Sequence, residues 1–358
     1  MSVELVNNLS VSILNQLYTS RNENENVAFT GIGLYVILGA INFGLNGRSY
    51  SQLSGFLNDT FEELYDPRIL KSSTTAKNWN YLRYLAREFI NVRSVLFSPC
   101  HLFQYYKKLT DPKLSAREIN EWVSGWVYES IGNMIDESSL DKRRVILINT
   151  LYYHADWKIN FDESLTKQEF FYVNKDQTEM VAMMNLKSYH HVFDSIHCNF
   201  RMLTKRSHDD QTYSVIILPR EGHSVKDVLQ SFKVDQLQAY FAQSEQKFVH
   251  LKLPKFKILA HNDFRDILEN MGITDMFHEN QADLRRMTNE SAYIGNIIQA
   301  TNIAVYEMGQ TYIPTTRARI DEALSNPYQF FVNSPYLFFV YSYVENTVLI
   351  SAVVNNPN

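Results

Sequence analysis

Two cysteines in 358 residues, Cys100 and Cys198, are too few and too far apart to form a disulfide framework. They suit a reducing compartment, or a fold that needs no bridges. No run of about 20 apolar residues occurs, which argues against a helical membrane span. The chain has only 12 Gly and 9 Pro, and none of them gather into a Gly/Ser tract or a Pro-rich linker. A single large domain over residues 1–358 is therefore expected. The net charge of -5 gives no global drive toward nucleic acid or an anionic membrane. The start, "MSVELVNNLSVSILNQL", lacks a basic cluster and reads as an amphipathic helix, not a secretory leader. Localisation is accordingly expected to be cytosolic, or extracellular by a leaderless route.

Catalytic motifs are equally scarce. There is no G-x-S-x-G elbow, no G-x-x-x-x-G-K phosphate cradle and no H-E-x-x-H. His190, His191 and His197 beside Cys198 lack metal-ligand spacing and an acidic partner, and they read as surface histidines beside a strand. Cys100 and His101 are adjacent, and adjacent side chains seldom converge on one substrate. The chain is therefore expected not to be an enzyme and to need no cofactor or metal.

What is present is a large core-building inventory, 45% hydrophobic with 22 Phe and 22 Tyr. The first third reads as helical. Leu5, Leu9, Ile13 and Leu17 share one face, and so do Leu34, Leu38, Ile41 and Leu45. In "SAREINEWVSGWVYESI", Ser115 and Glu118 form a capping-box pattern, and Ile119, Trp122, Val123 and Trp126 form the stripe predicted to be buried. From about Val145 the texture turns to strands. Val249, Leu251 and Leu253 alternate with polar residues, whereas "YLFFVYS" is apolar throughout and should be buried on both faces. Phe264–Met271 reads as a helix that Gly272 stops. The fold class is α+β.

Basic residues gather in small groups: Lys107, Lys108, Lys113 and Arg117; Lys142, Arg143 and Arg144; Arg285 and Arg286. Such groups are usually solvated faces. The first could instead dock a sulfated polysaccharide. Asn8, Asn58 and Asn289 stand in N-x-S/T contexts, a weak glycosylation signal in a chain of this length. Between Gln310 and Asn326 lies a long stretch with no apolar periodicity, and a loop of that length is usually functional or disordered.

Several segments, in order, resemble the serpin family of protease inhibitors. They include "ENVAFTGIGLYVILGAINFGLNGRSYSQL", "EINEWVSGWVYESIGNMI", "LINTLYYHADWKINFD", "YSVIILPREG", "LKLPKFKI", "ILENMGITDMF", "ADLRRMT" and "SPYLFFVYSYVENTVLISAVVNNP". The resemblance implies three β-sheets, about nine helices and an exposed reactive-centre loop at about 307–330. It implies a monomer whose partner is a target endopeptidase. The protease cleaves the loop and becomes acylated, and the loop then inserts into the central sheet, dragging and distorting the enzyme.

The same resemblance assigns roles residue by residue. Asn149 matches the buried Asn beneath the central strands, and Trp157 the Trp where the loop first enters. Glu307 and Gly309 match the hinge. Thr30, with Gly31, Ile32 and Gly33, stands where the family usually reads Ser-Pro-x-Ser, and Gln299 where it usually has His. An amide can still donate and accept. Counting forward from Gly309 puts Ala323 before the cleaved bond, whereas counting back from Pro335 gives Leu324. Leu324-Ser325 would suit a chymotrypsin-like or cathepsin-like pocket. Arg317 and Arg319 would attract a trypsin-like protease but sit too early for full insertion.

The hinge departs from the pattern of inhibitory members, which follow the Gly with Thr and then small residues. Here the run is Gln310-Thr311-Tyr312-Ile313-Pro314. In an inserted strand Gln310, Tyr312 and Pro314 would face inward together. An unpaired Gln310 amide would cost about 1–3 kcal/mol, and Pro314 lacks a ladder donor. Two readings follow: a protease inhibitor, or a serpin that has lost trapping and serves as a binding or carrier protein.

Overall fold

A computed structural model describes residues 3–21, 25–58, 74–103, 106–129, 134–307 and 326–358, with the side chains of 74–76 left aside. The first part of the chain forms α1 (Val3–Ser20), β1 (Val27–Phe29), α2 (Gly31–Gly44), α3 (Gly47–Leu57), α4 (Thr74–Ile90), β2 (Arg93–Ser98), β3 (Lys107–Lys108) and α5 (Pro112–Val127). Then follow β4 (Arg144–His154), β5 (Lys167–Tyr172), β6 (Thr178–Phe193), β7 (Phe200–Arg206), β8 (Thr212–Pro219), α6 (Val225–Ser231) and α7 (Leu237–Ala242). The chain closes with β9 (Glu245–Pro254), β10 (Phe256–Asp263), α8 (Arg265–Asn270), β11 (Tyr293–Val305), β12 (Tyr328–Phe331), β13 (Tyr336–Ser342) and β14 (Thr347–Val354). The class is α+β, with the long helices before residue 128 and the strands mostly after it.

Backbone packing groups the chain into two compact units. One comprises Met1–Leu5, Phe29–Tyr153 and Leu259–Asn302; the other comprises Val6–Ala28, His154–Ile258 and Ile303–Asn358. In the first unit α2 is apolar all round and almost wholly buried, as such a helix must be. Thr30 caps it, its Oγ1 accepting from Gly33 N at 3.2 Å. Helix α5 begins a turn before the Ser115 pattern suggested. Asp111 is the cap, its carboxylate accepting from Leu114 N at 3.0 Å, with Pro112 in the first turn. Ile119, Val123 and Val127 are its buried stripe, and Trp122 and Trp126 are only half-buried.

A five-stranded sheet runs in the order β10-β11-β4-β2-β3. Strands β2 and β4 pair antiparallel, with Ser94 opposite Asn149. Strands β4 and β11 run parallel: Tyr293 N donates to Arg143 O at 3.1 Å, and Ala155 N donates to Ala304 O at 3.0 Å. The remaining strands form a network in the order β1-β14-β13-β8-β7-β6-β9-β12, with β5 paired to β6. The resemblance implied three sheets. Here the 16-residue β6 pairs β5 near its start, β9 along its middle and β7 at its end, so two of those sheets share one hydrogen-bonded network. Strands β13 and β14 are buried on both faces, as their unbroken apolar sequence requires. In β9, Val249, Leu251 and Leu253 point inward, as the alternation predicts.

Candidate functional site: a polar network under a parallel strand pair

The β4–β11 pair carries an amide at matching positions, Asn149 and Gln299, and both side chains are buried. Gln299 Nε2 donates to Asn149 Oδ1 at 2.8 Å and lies 3.3 Å from Thr30 O. Its Oε1 accepts from Thr30 N at 2.6 Å. Asn149 Nδ2 continues the chain to Ser94 Oγ at 2.9 Å. Thr30, Asn149 and Gln299, separated by up to 269 residues, thus form one connected network that ties the start of α2 to the sheet. Gly33 makes the close approach possible. A Cβ there would lie 2.7 Å from Thr30 Cγ2 and 3.0 Å from Asn149 Oδ1.

In the second unit, Glu307 stands just past the end of β11. Its Oε1 accepts from Thr166 Oγ1 at 2.6 Å and from Lys255 Nζ at 2.7 Å. Burial pushes this carboxyl up, but the hydrogen bonds from Lys255 and Thr166 outweigh it and hold the group below its ordinary range. Trp157 is buried, donates Nε1–H to Ser214 Oγ at 3.1 Å and packs edge-on against Phe161 at 5.0 Å. Beneath both rings lies Lys205, 1% exposed, with Nζ 5.0 Å from the Trp157 centroid and 4.8 Å from that of Phe161. Its ammonium donates to Ile159 O. Burial pushes the Lys205 amine down to about 7.

Lys205, Lys255, Thr166 and Ser94 escaped the sequence reading. For Lys205 a signal existed: it shares the period-2 face of β7 with buried Leu203. The partners of Glu307 and Asn149 carry no local signal, because they come from distant segments.

His190 departs from expectation. It is buried within β6, not at the surface, and burial pushes its imidazole well below the ordinary value. His191 and His197 are exposed. Among the described residues no three His, Cys, Asp or Glu side chains group as they would around a metal ion. Cys100 and His101 diverge, since the thiol is buried and the imidazole exposed. Burial and the nearby Glu290 carboxylate push the thiol up, away from nucleophile chemistry.

Of the basic groups, Lys108, Lys113 and Arg117 are exposed and Lys107 is half-buried over the Phe97 ring. Arg143 pairs with Glu279, and Arg285 with Asp283. Asn8, Asn58 and Asn289 are all exposed. Gly309, Gln310, Tyr312, Pro314, Arg317, Arg319, Ala323, Leu324 and Ser325 lie outside the described residues.

Comparison with known proteins bears on this arrangement. The family model described as Serpin (serine protease inhibitor) matches residues 101–357. Human glia-derived nexin is 26% identical over 384 aligned residues, which cover 99% of this chain and 93% of that protein. Human serpin I2 is 24% identical over 358 residues, covering 95% and 88%. Among solved structures, native protease nexin-1 with heparin aligns at a TM-score of 0.83 with 23% identity over 99% of both chains. Uncleaved ovalbumin aligns at 0.86 with 18% identity over 100% of both. At such identities the structures speak for the fold alone.

Proposed function

The chain belongs to the serpin family, and we propose that it inhibits a target endopeptidase by offering the segment 307–330 as bait. The observation that carries this reading is the direct parallel pairing of β4 and β11 over a buried polar network, with the bait segment leaving the end of β11. A chain that leaves β11 and folds back beside it runs antiparallel to it. Set between β4 and β11, it would gain ladder hydrogen bonds on both edges. That gain is the driving force that makes the five-stranded state metastable. Asn149, Gln299 and Thr30 hold the two strands together, and Glu307 and Trp157 stand at the end where insertion begins.

The reacting bond is Leu324-Ser325, or Ala323-Leu324 one residue earlier, and the target has a hydrophobic primary pocket of the chymotrypsin or cathepsin kind. Cleavage at Arg317 or Arg319 makes the protein a substrate. The test is incubation with chymotrypsin and with a cathepsin. An SDS-stable covalent complex whose released fragment begins at Ser325 or Leu324 supports the proposal. Cleavage without a complex, and with no rise in melting temperature after nicking, overturns it.

The hinge sequence favours a second reading. Gln310, Tyr312 and Pro314 all hinder an inward-facing strand, and a serpin that inserts slowly or not at all would act as a binding or carrier protein. The melting comparison separates the two. We also assign Lys107, Lys108, Lys113 and Arg117 as a dock for a sulfated polysaccharide. The support is their clustering on β3 and α5 and the fold shared with a structure solved with heparin. Heparin affinity that falls with salt, and falls further when Lys108 and Lys113 are changed to Gln, is the expected result.

A further inference from the structure

Within the first unit, α2, α4 and β2 enclose a cavity of about 530 Å³. That is within the range of about 300–1,000 Å³ typical of small-molecule sites. Its floor is apolar: Val36, Ile37, Ala86 and Val95 are buried and carry no polar side-chain atoms. Its rim is cationic. Trp79, Arg83 and Arg87 recur at four-residue spacing on one face of α4, and Arg93 reaches in from β2.

These guanidiniums are not neutralised in equal measure. Arg87 lies beside Glu88 at 3.6 Å. Arg83 lies over the Trp79 ring at 5.7 Å, and Arg93 lies over the Trp126 ring at 5.1 Å. Among the described residues neither Arg83 nor Arg93 has a carboxylate partner. Ser94 also lines the cavity and is exposed there, although its hydroxyl bonds the buried Asn149 at 2.9 Å. The cavity therefore reaches down to the sheet.

From an apolar floor beneath two arginines that have no acidic partner among the described residues, we infer that this cavity binds a single-chain amphipathic anion, an acyl carboxylate with its chain on the floor and its head on Arg83 and Arg93. Arginine suits the head because its planar fork matches a carboxylate or sulfate with two parallel hydrogen bonds. A neutral apolar ligand would leave the rim unused, and a cation would be repelled. A polyanion without a chain would use the rim and leave the floor wet. The site is independent of the bait segment, so its test stands whatever the protease assays return.

The test is calorimetric titration of the full chain with dodecanoate, with octyl sulfate as a second anion and dodecyltrimethylammonium as the opposite charge. One site that takes dodecanoate and rejects the cation is expected. Exchanging both Arg83→Gln and Arg93→Gln should weaken it about tenfold or more, the worth of a charge-assisted hydrogen bond. Ala40→Phe, which fills the half-buried wall of the cavity, should abolish binding while the thermal melt is retained. Should that variant fail to fold, 12-bromododecanoate provides a second readout. It should quench the wild-type tryptophan emission, and Trp79→Phe should remove the quench without removing the binding. Tight octyl sulfate and weak dodecanoate would reassign the head group to sulfate within the same site. Absence of binding, or equal binding of the cation, would each overturn the inference.

Discussion

Replacing Gln299 tests whether the network beneath β4 and β11 acts through hydrogen bonds or through filled volume. The Gln299→Met variant keeps nearly the same volume and removes every polar atom of the amide. Thr30 O keeps a partner, since Leu34 N donates to it at 3.1 Å. Thr30 N and Asn149 Oδ1 lose theirs, and both are buried. Each stranded group costs about 1–3 kcal/mol, so the pair costs about 2–6 kcal/mol. That is a large part of the roughly 5–15 kcal/mol that holds a domain together. Gln299→Ala removes the same bonds but leaves room for a water that can pair with Thr30 N and Asn149 Oδ1. The expected order is therefore unusual: Met destabilises at least as much as Ala, although Met fills the space. The assay is urea unfolding followed by tryptophan fluorescence. With a slope of about 2–3 kcal/mol per molar, the midpoint for Met falls by about 0.7–3 M. A Met variant within about 0.5 kcal/mol of the parent, or clearly milder than Ala, would refute the reasoning, because packing and not pairing would then be what the site supplies.

Three further outcomes follow from the same geometry. Gly33→Ala forces a Cβ to 2.7 Å from Thr30 Cγ2 and 3.0 Å from Asn149 Oδ1, so it should cost about 1–3 kcal/mol by overpacking in the same urea assay. Glu307 has a depressed folded pKa; its contribution is present above the unfolded value near 4.5 and is lost as pH falls through the lower folded value. Parent and Glu307→Gln melting temperatures should thus differ at neutral pH and converge in acid; parallel curves would contradict this. Lys205 has a folded pKa of about 7 against an ordinary 10.5, so between those values the unfolded chain holds a proton that the folded chain lacks. Stability should rise with pH across that window, and Lys205→Met should flatten the rise.

The sequence by itself determined the elements and their class. Strands β13 and β14 announce two-sided burial through unbroken apolar runs, and β9 announces its inward face through alternation, because side-chain direction along a strand is a local property. Segment order carried the family resemblance, and with it Asn149, Trp157, Gln299, Thr30 and Glu307 as residues to watch. Local pattern was less reliable at boundaries: Asp111 with Pro112 outcompeted the Ser115 pattern as the start of α5. Only the tertiary structure decided which polar groups meet. The bonds of Gln299 to Thr30, of Glu307 to Lys255 and of Asn149 to Ser94 join segments with no spacing rule between them. Burial is likewise a collective property. His190 read as a surface residue beside a strand, and it took the packing of Trp157 and Phe161 to remove Lys205 from water and push its amine down to about 7.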